Sequence, residues 1–432
     1  MNALASSQPS RATSLAPDPA LPQRDLLLDA EQMASRLSLL VHKGGAVAIG
    51  SCEKQRIKYR VGQSLRVLYR VGVNGDCHLI AARALPQGIK RRAVHAATPN
   101  QAAARPPSQP VYDGALNTLF WTYPNDRKIR SLDLLSEMPS ALADAMGSRW
   151  TRSEVVAYAP EKCVTARCLA GNGQVAGYAK MYAGDAGQQI YQTYRQLAAS
   201  GLPVAKALAY SDVYQLLLLE DVPGARIADL TGGDLFNGFG SLGKTLACLH
   251  NTPIPESLLP RFRRLDRDRL RHCARIISQA RPDLARLVNT LADELYATSP
   301  EPTGPFVFLH GDVHPKNGIA SEGRITLIDL DQAAAGPAAA DVGSMLALLH
   351  YNWRVGYTRK ARAQELGEAF VTSYGQSRQL PAANSIRWHT AAALLAERAL
   401  RSVNRIRPEG LFHLEQLLAD AREILRGEAV ER

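Results

Sequence analysis

The chain has 432 residues, 46% of them hydrophobic and 21% charged. At about 150 residues per domain this suggests two or three domains, enough to bury a core without disulfide or metal staples, and excludes global disorder or a fibrous repeat. The net charge of +11 favours anionic ligands, yet aromatics are sparse, no motif beyond charge points to nucleic acid, and no apolar run reaches the ~18 residues of a membrane span. The N-terminal stretch is rich in Ser, Pro and Ala and lacks a basic start followed by an apolar block. It reads as a disordered leader over residues 1–24 of a cytoplasmic protein rather than a secretory signal. The six cysteines stand singly with no C-x-x-C pair, a pattern that argues against a zinc site or disulfide framework and suits a reducing compartment.

After the leader, LDAEQMASRLSLLV places Met33, Leu37 and Leu40 at helical spacing. QRIKYRV, SLRVLYRVGV and CHLIAARAL then alternate as strands do, the last two separated by Asn74-Gly75, a hairpin signal. Residues 86–110 read as a polar loop, PVYDGALNTLFWTYP as extended chain and SALADAMGSRW as a short helix. Together these predict a small α+β cap domain over 25–150. A second meander follows: SEVVAYAPEKCVTARCL turns at Gly171-Asn172-Gly173 and returns as QVAGYAKMY, which carries Lys180 near its end. Tyr59 to Ala82 can be laid over Tyr158 to Lys180 with a one-residue gap. That suggests a duplication in which Ala82 stands where Lys180 stands; two unrelated meanders of similar length are the other reading.

DAGQQIYQTYRQLAAS has helical character, VYQLLLLEDVPG reads as a buried strand running into a turn, and FGSLGKTLACLH puts Phe239, Leu242, Leu246 and Leu249 on one helical face. Between Arg261 and Arg286 there are nine arginines and three acids. A solvated helix face explains such a run, and an anionic substrate is the alternative. PFVFLHGDVHPKN and RITLIDLD are expected to pair two short strands around polar loops, and from Ala338 onward the pattern is helical, with Leu411, Leu414, Leu418, Ala421 and Leu425 as one stripe.

The chemistry is concentrated in His310-Gly311-Asp312-Val313-His314-Pro315-Lys316-Asn317, followed twelve positions beyond Asn317 by Asp329 in LIDLD. A carboxylate, an amide five residues on and a second carboxylate after a short hairpin suit a hydroxyl-activating base beside a magnesium site. Phosphoryl transfer needs Mg²⁺ on phosphate oxygens, an in-line hydroxyl and cationic support for the nucleotide. Mg²⁺ prefers hard oxygen ligands such as those of Asp329 and Asn317. HGDVHPKN together with IDLDQAAAGPAAADVG resembles the aminoglycoside phosphotransferase and choline kinase family, relatives of the protein kinases. The resemblance covers roughly residues 151–426. It implies that Asp312 is the catalytic base, that Asn317 and Asp329 hold Mg²⁺, and that His310 and Asp341 support the loops. Some family members, including maltose kinases, carry an extra N-terminal cap.

Upstream, GYAKMY places Lys180 at the end of a strand, where a lysine can reach the α and β phosphates of ATP; a solvated lysine is the bland alternative. The family's hinge, whose backbone binds adenine, corresponds to Glu220–Val222, here Glu220, Asp221 and Val222. Two departures stand out. The helix after Lys180 offers Gln188, Gln189 and Gln192 but no glutamate to pair with that lysine, leaving Asp185 or a glutamine as substitutes. There is also no G-x-G-x-x-G: Gly171, Gly173 and Gly177 are misspaced and read as hairpin glycines, so Ala159–Cys163, with Lys162, is the candidate phosphate-covering turn. Asp331 is open between a second metal ligand and a loop carboxylate. A metallohydrolase reading of His310, Asp312 and His314 lacks the further His/Asp cluster it needs.

The expected fold is α+β, a two-lobed protein-kinase-like arrangement with a β-rich N-lobe and hinge over 151–222 and a helical C-lobe over 223–432, preceded by the cap. The expected activity is ATP- and Mg²⁺-dependent phosphorylation of a hydroxyl group of a small molecule such as a sugar, an amino alcohol or an aminoglycoside-like compound, with no nucleic-acid or membrane partner. Residues 241–300 carry ten basic and six acidic side chains, which favours a neutral or anionic acceptor. The alternative is a catalytically weak kinase-like binding module.

Overall fold

At the first expected hairpin, Asn74 has φ 51° and Gly75 φ 89°, the two positive values of a type I′ turn whose twist matches that of its strands. The computed structural model describes residues 14–41, 49–86, 110–198, 200–258, 261–262, 265–300 and 304–428. Helices α1 (Arg24–Leu28) and α2 (Ala30–Val41) precede β1 (Ile49–Arg60), β2 (Ser64–Val73), β3 (Asp76–Ala84), β4 (Val111–Asp113) and β5 (Thr118–Thr122). These strands form an antiparallel sheet in the order β1-β2-β3-β5-β4. Met33 and Leu37 of α2 are buried, as expected of that apolar face; the Leu40 side chain and most of the 86–110 loop lie outside the described residues.

Residues 14–24, expected in a disordered leader, are instead packed. Leu21 is fully buried, and Asp18 accepts hydrogen bonds from the Tyr59 hydroxyl at 2.7 Å and the Gly62 amide at 2.8 Å. A buried tyrosine hydroxyl requires a partner, and here a chain segment distant in sequence supplies it. The remainder of the expected leader, residues 1–13, lies outside the described residues.

Helices α3 (Leu132–Glu137) and α4 (Pro139–Ala145) lead into β6 (Arg152–Ala159), β7 (Cys163–Leu169) and β8 (Val175–Tyr182), then α5 (Ala186–Ala198), β9 (Ala207–Ser211) and β10 (Leu216–Leu219). This second antiparallel sheet has the order β6-β7-β8-β10-β9, the same pattern as the first. The register also corresponds, because Tyr59 pairs with Leu65 as Tyr158 pairs with Val164. Followed across the sheets, the row Arg66, Arg83, Leu119, Tyr112 matches Thr165, Lys180, Leu217, Tyr210. Arg83, rather than the expected Ala82, therefore stands where Lys180 stands. The hairpin of the second sheet is two residues shorter than that of the first and carries a bulge at Cys168 and Leu169, which a one-residue gap does not absorb.

Leu68, Ala81, Leu119 and Trp121 of the first sheet share one core with Val164, Ala166, Ala179, Met181, Leu216 and Leu218 of the second. Because strand side chains alternate between faces, the first sheet contributes the face that bears Arg83, and the second contributes the face opposite Lys180. The chain divides into two compact units: one is Pro17–Tyr191 with Ala207–Asp221, and the other takes Gln192–Lys206 and Val222–Arg432 together with the segment ending at Ala16.

The second unit is largely helical. It contains β11 (Ala225–Arg226), α6 (Gly232–Asn251), α7 (Arg267–Ala280), α8 (Ala285–Ala297), β12 (Val307–Leu309), β13 (Gly318–Ser321), β14 (Arg324–Leu327) and β15 (Ala334–Gly336). The chain continues through α9 (Ala339–Arg354), α10 (Lys360–Ser377), α11 (Ala383–Ala393), a π-helical turn (Leu394–Ala399), α12 (Leu400–Arg405), α13 (Pro408–Phe412) and α14 (Leu414–Arg426). The strands of PFVFL and RITL, expected to pair with each other, do not. β12 pairs with β15, and β13 with β14, because a tight hairpin captures its neighbour in sequence first. On α7, Leu270, Cys273, Ala274 and Ile277 are buried while Arg267, Arg269, Arg271 and Arg275 are exposed, so these arginines form a solvated face. The expected C-terminal stripe is split, with Leu411 on α13 and Leu414, Leu418 and Ala421 buried on α14. Among the described residues no helix is long and apolar enough to cross a membrane.

Candidate active site

β12 is buried throughout and delivers His310 and Gly311 to a tight corner. Gly311 has φ +80°, and a Cβ there would lie 1.9 Å from the Gln332 carbonyl oxygen, so only glycine fits. Asp341, in the first turn of α9 and fully buried, accepts hydrogen bonds from the backbone amides of His310 at 2.7 Å and Gly311 at 3.1 Å. His250 Nε2 lies 3.4 Å from the same carboxylate, and His250 Nδ1 lies 2.8 Å from the Tyr374 hydroxyl. A carboxylate this deep is tolerated only when its oxygens are so engaged.

His310 ties two loops together. The Asp312 amide donates to its Nδ1 at 3.3 Å, which leaves Nε2 as the donor to the Ile328 carbonyl at 3.0 Å. With both ring nitrogens committed, His310 has no lone pair for a metal, and the metallohydrolase arrangement is not built.

The loop then closes on itself. Pro315–Asn317 is one 3-10 turn capped by His314, whose Nδ1 accepts from the Lys316 amide at 3.1 Å. Asn317 Nδ2 donates to the Asp312 carbonyl at 2.9 Å and lies 3.5 Å from the Asp312 carboxylate. The Ile328 amide donates to the Asn317 carbonyl at 2.9 Å, which brings the neighbour of Asp329 against the turn. Asp329 itself follows β14 with φ 62° and ψ 64°, a left-handed conformation uncommon outside Gly, Asn and Asp. Next to it the Leu330 amide donates to the Tyr194 hydroxyl at 3.3 Å. Asp312 and Asn317 are thus in direct contact, and Asp329 is held one residue from a bond to the same turn. Burial pushes the His314 pKa down to about 4, with further lowering from Arg398, Lys316, Arg401 and Arg407, so its ring is neutral at pH 7. Among the described residues no group of three or more His, Cys, Asp or Glu could hold a metal ion; the oxygens in question come from one carboxylate and one amide.

Lys180 and Glu220 lie in the other unit, and Val222 in the same unit as Asp312. Lys180 is central in its sheet, paired with Thr165 and Leu217. It is only 8% exposed, with its ammonium 5.5 Å from the centre of the Tyr182 ring, unlike a solvated lysine. β10 ends at Leu219, opposite Tyr178, and Glu220–Val222 continue beyond the ladder. Gly177 is not a turn glycine as expected: it sits in β8 with φ +147°, where a Cβ would lie 2.5 Å from the Leu219 carbonyl oxygen.

The turn expected to cover phosphates, Ala159–Cys163, carries Glu161 in a left-handed conformation at φ 59°. The Glu161 carboxylate is fully buried and meets Arg83 at 2.6 Å, Arg127 at 2.7 Å and Arg66 at 3.2 Å. Its amide donates to Asp126 at 2.7 Å, and the Tyr158 hydroxyl donates to that same carboxylate at 2.7 Å. Sequence reading missed this cluster, as it missed His250, Tyr374 and Tyr194 behind the Asp312 loop. Helical position gave no hint of their roles, and the contacts join residues far apart in the chain.

Residues 182–380 match the phosphotransferase enzyme family. No curated protein matches the chain. Among solved structures, the chain is similar to a spectinomycin phosphotransferase in complex with ADP and spectinomycin, at 15% identity and TM-score 0.47 over 67% of this chain and 98% of that one. An amicoumacin kinase in complex with AMP-PNP and Ca²⁺ gives 15% identity and TM-score 0.49 over 70% and 97%. A macrolide 2′-phosphotransferase from Brachybacterium faecium gives 20% identity and TM-score 0.41 over 69% and 99%. The segment 182–380 that matches the phosphotransferase enzyme family includes the whole of the Asp312, Asn317 and Asp329 constellation.

Proposed function

We propose that this chain is an ATP- and Mg²⁺-dependent kinase that phosphorylates a hydroxyl group of a small molecule. The observation that carries the reading is the closed turn in which Asn317 bonds to Asp312 while its own carbonyl is fastened to the strand leading into Asp329. In this reading Asp312 accepts the acceptor hydroxyl's proton or orients its lone pair. The Asn317 side-chain nitrogen Nδ2 is committed to Asp312, which leaves the side-chain oxygen Oδ1, distinct from the backbone carbonyl bonded to Ile328, as the donor atom for a cation. One carboxylate and one amide oxygen are a set that suits Mg²⁺, which completes its shell with phosphates and water. When bound, Mg²⁺ neutralises charge on the transferring phosphoryl group. His310 and Asp341 hold the loop rigid, Lys180 holds the α and β phosphates, and the backbone of Glu220–Val222 holds adenine.

A second reading, a kinase-like binding module with weak catalysis, is favoured by the absence of glutamate on α5. The two separate by experiment. Asp312→Ala should lower phosphate transfer by about 10³-fold or more while ATP still binds, measured by coupled turnover and by titration calorimetry. Unchanged turnover in that variant overturns the role given to Asp312, and nucleotide binding without transfer across a broad hydroxyl panel favours the module.

A further inference from the structure

We propose that Tyr194 is a positioning residue for the cation at this site: its buried hydroxyl holds the peptide group that follows Asp329 and so sets the direction in which Asp329 presents its carboxylate to Mg²⁺. The inference rests on the kinase reading and deepens it by naming a residue outside the two loops that governs the cation affinity of the same site.

The direction of a side chain is set by the two peptide groups that flank its Cα, and at Asp329 both are held. The peptide group before it presents the Ile328 carbonyl to His310 Nε2 at 3.0 Å. The peptide group after it presents the Leu330 amide to the Tyr194 hydroxyl at 3.3 Å. The first contact restrains φ and the second ψ. Asp329 takes φ 62° and ψ 64°, and a residue other than glycine keeps such a conformation when its surroundings over-determine it.

The chain leading into Asp329 is anchored by backbone partners, which a substitution does not delete. The Leu327 amide donates to the Pro203 carbonyl at 2.8 Å, the Leu327 carbonyl accepts from the Ala205 amide at 3.0 Å, and the Ile328 amide donates to Asn317. Leu330 has a side-chain partner instead. It opens the 3-10 turn Leu330–Gln332, and the first amide of such a turn has no partner within it. Leu330 is buried, where an amide left unpaired is costly. α5 delivers the hydroxyl that meets this need. Thr193, Tyr194 and Leu197 of α5 are all buried, which leaves the ring little freedom, and Tyr194, Pro203, Ala205 and Leu330 fall in the same compact unit as Asp312. The helix that carries no glutamate thus supplies a hydroxyl to the loop of Asp329. Mg²⁺ tolerates little departure from octahedral geometry, and groups that orient a ligand without touching the metal are worth about 10- to 100-fold in metal affinity.

The test compares full-length wild type with Tyr194→Phe, which removes the hydroxyl and keeps the ring, and with Tyr296→Phe, an exposed control on α8. In calorimetric titrations with a non-hydrolysable ATP analogue, the Mg²⁺ concentration that gives half of the strengthening of nucleotide binding should rise about tenfold or more in Tyr194→Phe. Nucleotide affinity without Mg²⁺ should stay near wild type, and Tyr296→Phe should match wild type throughout. In the ligand-free protein the Leu330 amide should be protected from hydrogen exchange, and should exchange about tenfold faster in Tyr194→Phe. An unchanged Mg²⁺ requirement overturns the proposal, as does equal weakening with and without Mg²⁺, the mark of a merely structural role. A wild-type Leu330 amide that exchanges as fast as an unfolded chain also overturns it, and that result needs no variant. Wild type that binds no nucleotide in the presence of Mg²⁺ overturns the kinase reading. The exchange measurement, made without nucleotide or metal, tells the two failures apart.

Discussion

The two five-stranded sheets place a cation at the same register position and use it differently. In the first, Arg83 is closed off: its guanidinium grips the buried Glu161 carboxylate, which Arg66 and Arg127 share. In the second, Lys180 sits at the matching row on a face that the shared core does not cover. On the reading proposed for Lys180, strand order and register alone do not make a phosphate site. What lies across from the cation decides, and in the first sheet an internal carboxylate has taken the place an external anion would need.

Substitution at the matched positions should break this symmetry. The largest effect is expected from Lys180→Ala, which should lower kcat/KM for ATP by about 10²–10³-fold with little change in melting temperature, whereas Arg83→Ala should leave transfer near wild type and cost about 2 kcal/mol of stability. Equal kinetic effects at the two positions would show that the sheets are not functionally distinct. Glu161→Ala comes next. It leaves three guanidinium groups facing one another in a largely buried site, and denaturant unfolding should report a loss of about 3–5 kcal/mol. A loss within experimental error would mean that the cluster does not hold the turn.

The smallest effect is a pH dependence. Arg83, Arg66 and Arg127 hold the Glu161 carboxyl below its ordinary value of 4.5 against the opposing push of burial. A carboxyl depressed in the folded state contributes stability that is present above its unfolded value and lost as pH falls through its folded value. Wild type should therefore lose stability from about pH 5 to about pH 3 more steeply than Glu161→Gln, measured as unfolding midpoints across that range. Parallel curves would remove Glu161 from the account.

Much of the architecture was legible because it is local. Asn74-Gly75 fixes its hairpin through two positive φ values, and the apolar spacings of α2 and α6 mark their buried faces. The Asp312 to Asn317 turn was legible because its residues lie within one short segment and their types are chemically specific. What was hidden is non-local or lacks side-chain signal. β12 pairs with Ala334–Gly336, three small residues without the β-branched or aromatic character that announces a strand. Asp18 reaches Tyr59, and Arg83 reaches Glu161, across separations that no window of periodicity spans. The one-residue error between Ala82 and Arg83 has the same origin: a bulge shifts register, and a bulge is invisible in alternation alone.

The central claim is that Asp329, held against the Asn317 turn, binds the cation through which the nucleotide is bound. Titration calorimetry of a non-hydrolysable ATP analogue, with and without Mg²⁺, into wild type and Asp329→Ala tests it most directly. The account predicts binding to wild type that is strengthened by Mg²⁺, and loss of that Mg²⁺ dependence in the variant. Equal Mg²⁺ dependence in both proteins, or no nucleotide binding to wild type, would contradict it.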